Sequence, residues 1–287
     1  MKSNLLESLA IFLLKDGFTV KTLTRSCFDL LARKKDLIIL IKALEDANAV
    51  MESHVQEMDK VSSYMAATPL IVAEKAGSLL ENNVIYSRFG MTTLNVTTFI
   101  NCVRSKYPLV RRTQAGLTIS ISGNRLKEKR EAFGYSLNAL SKKVGVTSRM
   151  IAKYETGNAE ITIQKAKKLH DIFGTQVFEE INIFTRIHNA PASHGSKIVM
   201  KYVQLGFDAS DTHNTPFDII AKKGHELILT EVGDKQRPDL SSLSRLLDAD
   251  KLVIFRRKRP KDVPALTQQE FLEFQEANKL IKFLKEF

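Results

Sequence analysis

Apolar residues first recur at helical spacing and then at strand spacing. Leu5, Leu9, Phe12 and Leu13 fall at i, i+4, i+7 and i+8, which predicts an amphipathic helix ended by Gly17. Residues 18–23 alternate weakly, as a strand does. Residues 27–32 and 37–44 are apolar, strand-like runs separated by the polar turn Arg33-Lys34-Lys35-Asp36. Met51, Val55, Met58 and Met65 predict a second helix, residues 70–73 a short buried strand, and Val96–Val103 a closing helix. The order helix, three strands, helix, strand predicts an α/β layered domain.

Between 123 and 173 the pattern changes to four short helical segments joined by tight turns. Leu126, Phe133, Leu137 and Leu140 supply apolar residues to the first two. In Gly145-Val146-Thr147, Gly145 allows the positive φ needed between two steeply inclined helices, and Thr147 can cap the next helix. Ile151 and Tyr154 mark that helix's inward face, and Gly157 can end it. Ile163, Ala166, Leu169 and Ile172 predict a last amphipathic helix.

Beyond residue 178 the first pattern returns. Ile198, Tyr202 and Leu205 predict a helix ended by Gly206-Phe207, as Gly17-Phe18 ends the first. Sliding the chain by 189 places 17–43 on 206–232 without a gap, with 8 of 27 positions identical. Average composition would give roughly two. The matches include Phe28/Phe217, Asp29/Asp218, Ala32/Ala221 and Leu40/Leu229. Further on, Leu70-Ile71-Val72 falls on Leu252-Val253-Ile254, and Leu94 and Phe99 fall on Leu266 and Phe271. The pattern predicts two copies of one α/β domain flanking a helical domain, with bounds 1–105, 106–177 and 178–287.

Charge singles out the middle segment. Residues 102–176 hold fifteen Lys and Arg against five Asp and Glu, a net +10 of the chain's +11. Such a concentration is the footprint of phosphate binding. Cys27 and Cys102 have neither metal-ligand nor disulfide-framework spacing, so a reducing cytoplasm is expected. The first apolar run is too short to span a membrane and lacks a cleavage site, so no membrane attachment is expected.

The middle segment resembles the phage-repressor type of helix-turn-helix. The resemblance rests on Arg130 with Gly134 four residues later, Ser136, Leu140, Gly145-Val146-Thr147, Ile151, and Glu155 followed by Gly157. It implies an ion pair between Arg130 and Glu155 and a recognition helix at about 148–156. Ser148, Arg149 and Lys153 would face the major groove of double-stranded DNA, with Ser136, Lys142, Lys143 and Thr147 toward the backbone. Leu137 stands where the family often has a phosphate-binding Gln.

Phe-Asp before a turn and an apolar strand ending in Lys is similar to the restriction-endonuclease-like, PD-(D/E)xK, superfamily. That resemblance implies a vestigial nuclease site at Asp29 and Lys42, with Asp218 as its remnant in the second copy and Glu7 as a possible outer carboxylate. The tripeptide is Leu40-Ile41-Lys42 in the first copy and Leu229-Thr230-Glu231 in the second. One carboxylate should hold Mg²⁺ poorly.

As a whole the chain resembles a family of archaeal helix-turn-helix transcriptional regulators. It shares the stretch leading up to Gly123, Ser136-Leu137, Tyr154-Glu155-Thr156-Gly157 and Pro216-Phe217-Asp218. The reading is a homodimeric, sequence-specific DNA-binding regulator with no catalytic residues, cofactor or metal. The other reading is a DNA endonuclease targeted by its helix-turn-helix, and an operon-repressing antitoxin is a minor third. Three features stay outside the motifs. His188 and His194 lie in a Pro-containing loop that reads as surface. Arg111-Arg112 read equally as a phosphate contact or a solvated linker. The basic run Arg256-Arg257-Lys258-Arg259 with Lys261 reads as a solvated loop able to touch flanking DNA.

Overall fold

The computed structural model describes residues 2–185, 195–234 and 237–286. His188 and His194 lie outside the described residues. The chain forms two compact units, Met1–Ile71 with Phe184–Phe287, and Val72–Ile183.

In the first unit, the helix Lys2–Lys15 buries Leu5, Leu9 and Leu13 at i, i+4 and i+8. It stops at Gly17, whose φ of 85° lets the Phe18 N–H reach back to the Leu13 carbonyl. The strands Thr19–Thr22, Leu30–Lys34 and Leu37–Asp46 follow as an antiparallel meander. The helix Glu52–Met65 then leads to the strand Thr68–Ala76. Cys27 and Phe28 are wholly buried but precede the strand, in an irregular loop held from outside itself.

The second copy repeats this arrangement at 189 residues' distance. The helix Lys197–Gln204 ends at Gly206, φ 81°, and the Phe207 N–H reaches the Tyr202 carbonyl. The strands Asp208–Asp211, Ile219–Lys223 and Glu226–Val232 pair in the same register: Val20 faces Ala32 as Ala209 faces Ala221, and Leu31 faces Leu40 as Ile220 faces Leu229. Lys34 lies over the Phe18 ring at 5.4 Å, and Lys223 over Phe207 at 5.6 Å. After the helix Asp239–Leu247, the strand Asp250–Phe255 joins parallel to Glu226–Val232 and is flanked in turn by Ala265–Thr267. The helices Gln268–Glu273 and Ala277–Lys285 close this copy over a core that includes Tyr202, Ile228, Leu252, Phe271 and Leu280.

The copies clasp each other. The Asn214 carbonyl accepts from Cys27 N–H at 2.6 Å, Glu57 accepts from His213 N–H at 2.9 Å, and Lys60 donates to the Asp211 carbonyl at 2.7 Å. On the other side Arg33 donates to the Leu246 carbonyl and pairs with Asp248, and Lys21 pairs with Asp239. Each copy's crossover helix is thus tied to the other copy's outer strands.

In the second unit, the short strands Ser78–Leu79, Val84–Arg88 and Met91–Leu94 come first. The helix Val96–Val103 falls where periodicity predicts it, capped by the Asn95 side chain. A hairpin, Val110–Thr113 with Gly116–Ile119, pairs parallel with Val84–Arg88 through its first strand. The helices Gly123–Ala132, Leu137–Val144, Ser148–Glu155 and Ile163–Phe173 follow. Before the last, Ile161–Thr162 pairs with Gly116–Ile119, so the hairpin and the helices share one core with Leu126, Leu140, Ile151 and Leu169 at its centre.

Candidate nucleic-acid interface

Helix caps set the geometry. Ser136 Oγ accepts from Ala139 N–H at 3.0 Å, and Thr147 Oγ1 from Met150 N–H at 3.2 Å. Between these two helices Gly145 takes φ 76°. Ile151 and Tyr154 turn into the core, which leaves Arg149 and Lys153 on the exposed side, one turn apart. No partner holds either side chain among the described residues. Ser148 is half-buried, and its hydroxyl lies 3.3 Å from that of buried Ser141. That bond ties the start of this helix to the one before it.

The outer end of Ser148–Glu155 is fixed by charge. Arg130 donates twice to Glu155, at 2.5 and 3.0 Å, with both side chains about nine-tenths buried. It also donates to the Tyr135 carbonyl at 3.0 Å and to Glu131 at 3.2 Å. The hydrogen bonds to Glu155 hold the guanidinium's pKa above its ordinary value. Past Glu155, Gly157 at φ 70° lets Asn158 N–H reach the Lys153 carbonyl and its own N–H reach Tyr154, a Schellman stop.

The remaining basic groups surround the turn. Lys142 is exposed, and Lys143 lies 5.4 Å from the centre of the Tyr135 ring. Lys165 donates to the Gly145 carbonyl at 2.8 Å, a contact the periodic pattern did not reveal because it joins two helices. Arg111 pairs with Glu160 at 3.5 Å, while Arg112 stays exposed. Phe133, expected inside, is 53% exposed: it caps its helix, stacks on Tyr135 and meets Phe173 edge-to-face at the rim. Leu137 is half-buried at the edge of the core.

The nuclease-like positions form a separate arrangement in the first unit. Asp29 and Lys42 are buried, 3.2 Å apart, and Lys42 also donates to the Ser26 carbonyl at 2.9 Å. The other Asp29 oxygen accepts from Ala43 N–H at 3.0 Å. In the second copy Asp218 accepts from the equivalent N–H, that of Val232, at 2.7 Å. Glu231 replaces Lys42, and a cation arrives from elsewhere: Arg237 donates to Asp218 at 2.7 Å. Sequence reasoning missed Arg237 because it lies outside the strand that carried the pattern. Glu7 is exposed and Leu40 fully buried. Among the described residues no group of three or more His, Cys, Asp or Glu is placed to hold a metal.

Glu231 is 2% exposed; among the described residues its Oε1 has no hydrogen-bond partner, and the nearest cation is Arg237 Nε at 3.9 Å. Burial pushes its pKa up to about 7. An acid with a raised folded pKa loses stability as pH climbs from its unfolded value toward its folded one. Substituting Glu231→Gln removes that loss. In melts at pH 5, 6, 7 and 8, the variant should gain on the parent with each step. A constant difference would show that Glu231 is charged throughout.

Side-chain caps, a left-handed turn glycine and an exposed basic face on one short helix define a helix-turn-helix protein. The comparisons agree. Residues 126–179 match the helix-turn-helix model, and residues 2–108 match the PD-(D/E)XK superfamily domain. A relative from Archaeoglobus fulgidus is 28% identical over 100% of this chain and 98% of its own. One from Methanocaldococcus jannaschii is 28% identical over 92% of this chain and 90% of its own. A third, from Methanoculleus marisnigri, is 32% identical over 73% of this chain and 71% of its own. All three bear the name "Putative HTH-type transcriptional regulatory protein", and the chain belongs to their family. No solved structure matches it.

Proposed function

We propose that this protein is a sequence-specific DNA-binding regulator of transcription. The observation that carries the reading is the helix Ser148–Glu155, which is locked by Arg130 and Glu155 and presents Arg149 and Lys153 without protein partners among the described residues. The N-terminal exposed positions of such a helix reach base edges in the major groove. Arg149 suits the two acceptors of a guanine, and Lys153 lies one turn further along. Ser148 shares its hydroxyl with Ser141, while Ser136, Thr147, Lys142 and Lys143 line the backbone side. The protein works as a homodimer on a pseudo-palindrome, in the cytoplasm. The proposed modules are 1–105, 106–177 and 178–287, the third a second degenerate nuclease-like domain.

The test is binding-site selection with the full chain, repeated with Arg149→Ala. The substitution should cost about 1–3 kcal/mol on the preferred site and relax preference at one base pair. An unchanged preferred sequence would remove Arg149 from the reading face.

The family match over 2–108 keeps the endonuclease reading in view. Against it stands the chemistry of the first copy. The Lys42 ammonium is occupied by Asp29 and the Ser26 carbonyl, and the neighbouring ligand position is aliphatic Leu40. Hard cations need clustered oxygen ligands. No cleavage of duplex or branched DNA is expected with Mg²⁺. Cleavage that disappears in Asp29→Ala would establish the endonuclease instead.

A further inference from the structure

The run Arg256-Arg257-Lys258-Arg259, with Lys261, follows the strand Asp250–Phe255 in the first unit. A flexible loop of this composition would be a weak, adaptable patch. This one is fixed. Asp234 follows the neighbouring parallel strand Glu226–Val232, beside the place where the basic run leaves its own strand. Its Oδ1 accepts from three successive backbone N–H groups, those of Arg256, Arg257 and Lys258, at 2.8, 2.9 and 3.3 Å. These bonds hold the Asp234 carboxyl below its ordinary pKa, so it stays ionised and keeps accepting.

All five cations are exposed; among the described residues Arg259 donates to the Ala265 carbonyl at 3.0 Å and lies in electrostatic range of Glu270, and Arg257 lies in electrostatic range of Asp234. Lys258, Arg259 and Lys261 border a hollow of about 420 Å³. The one acidic side chain within the loop is exposed Asp262. Asp234 borders the same hollow and offsets one of the five positive charges, most directly that of Arg257, while its three bonds to backbone N–H groups shape the run; with Asp262 as the second acid, the loop keeps an excess of positive charge. Five like charges held close together repel one another, and a chain maintains them most readily where an anionic partner relieves that repulsion.

We propose that this pinned basic loop is a second, sequence-independent contact for the phosphate backbone of duplex DNA, distinct from the helix-turn-helix. It rests on the proposed regulatory reading only for the class of ligand. The repeated phosphates of a duplex match a row of exposed cations, and such contacts add affinity without reading bases.

The experiment uses the full chain and a random-sequence duplex, with affinity measured across a range of salt. The variant Arg256→Ala/Arg257→Ala/Lys261→Ala changes only exposed residues. It should lower the slope of log affinity against log salt by about 2–3, near 0.9 for each phosphate that is no longer neutralised. The sequence preferred in a selection should not change. Asp234→Ala supplies the sharper arm. It raises the net charge by one, so a patch acting through charge alone would bind more tightly. A loop acting through its fixed shape should bind roughly three- to tenfold more weakly. An unaltered salt slope in the triple variant, or tighter binding by Asp234→Ala, overturns the proposal. Failure of the regulatory reading looks different: the chain would select no sequence, while the loop variants still changed its salt-sensitive binding.

Discussion

Replacing Arg130 by Ala should unfold the helix-turn-helix well before the rest of the chain. The substitution removes a guanidinium that makes two bonds to Glu155, one to the Tyr135 carbonyl and one to Glu131. Glu155 would then be left in a site about nine-tenths buried with its main partner gone. Breaking a buried pair from one side costs about 3–5 kcal/mol, chiefly because the surviving charge is left uncompensated. Replacing both residues together, as Arg130→Met/Glu155→Leu, should cost clearly less, since no charge is stranded. Scanning calorimetry of the full chain separates these outcomes. Equal losses in the single and double variants would mean that packing, not charge, holds the two helices together.

That ion pair was legible in the sequence through the resemblance to the phage-repressor helix-turn-helix, which implies it. Helix caps, a turn glycine and two charges at fixed offsets sit within 26 residues, from Arg130 to Glu155. The repeat was legible for a different reason. A gapless shift of 189 preserves strand register, and register decides which residues face the core. Both the pairing of Leu31 with Leu40 and that of Ile220 with Leu229 follow it.

What escaped was long-range or marginal. Ile161–Thr162 spans two residues, too few for any period, and exists because Gly116–Ile119 offers it a partner. Val84–Arg88 and Met91–Leu94 are short and mixed in polarity, so their pairing decides their state. Cys27 and Phe28 are apolar enough for a strand, yet their loop is held by Asn214 from the other copy. Phe133 was misplaced because an apolar residue at a helix end can lie on either side of the last turn. The helix Asp239–Leu247 is a different case. Its buried Leu240, Leu243 and Leu247 stand at helical spacing, so that signal was present in the sequence.

The clasp between the copies also bears on assembly. Arg33, Lys21, Glu57 and Lys60 spend their polar groups inside one chain. These bonds run through side chains and leave Thr19–Thr22 and Asp208–Asp211 as end strands of their two sheets among the described residues, the kind of edge at which another chain can pair.

Gly123→Ala is the smallest substitution expected to disturb the reading helix. Gly123 begins the helix Gly123–Ala132, and its φ is not unusual, so backbone freedom is not what it supplies. It supplies space. A Cβ there would lie 2.2 Å from the Glu155 carbonyl oxygen and 2.9 Å from that of Tyr154. Both are backbone atoms at the end of the helix Ser148–Glu155, so no side-chain rotation relieves the clash. The two helices must move apart, and the bidentate geometry of Arg130 on Glu155 opens with them. Overpacking of this kind costs about 1–3 kcal/mol, occasionally more, and the backbone contact places this case at the upper end. Because the displaced segment carries Arg149 and Lys153, affinity for the selected site should fall by more than affinity for random duplex. A variant that melts and discriminates like the parent would show that the two helices can separate without consequence for the reading face.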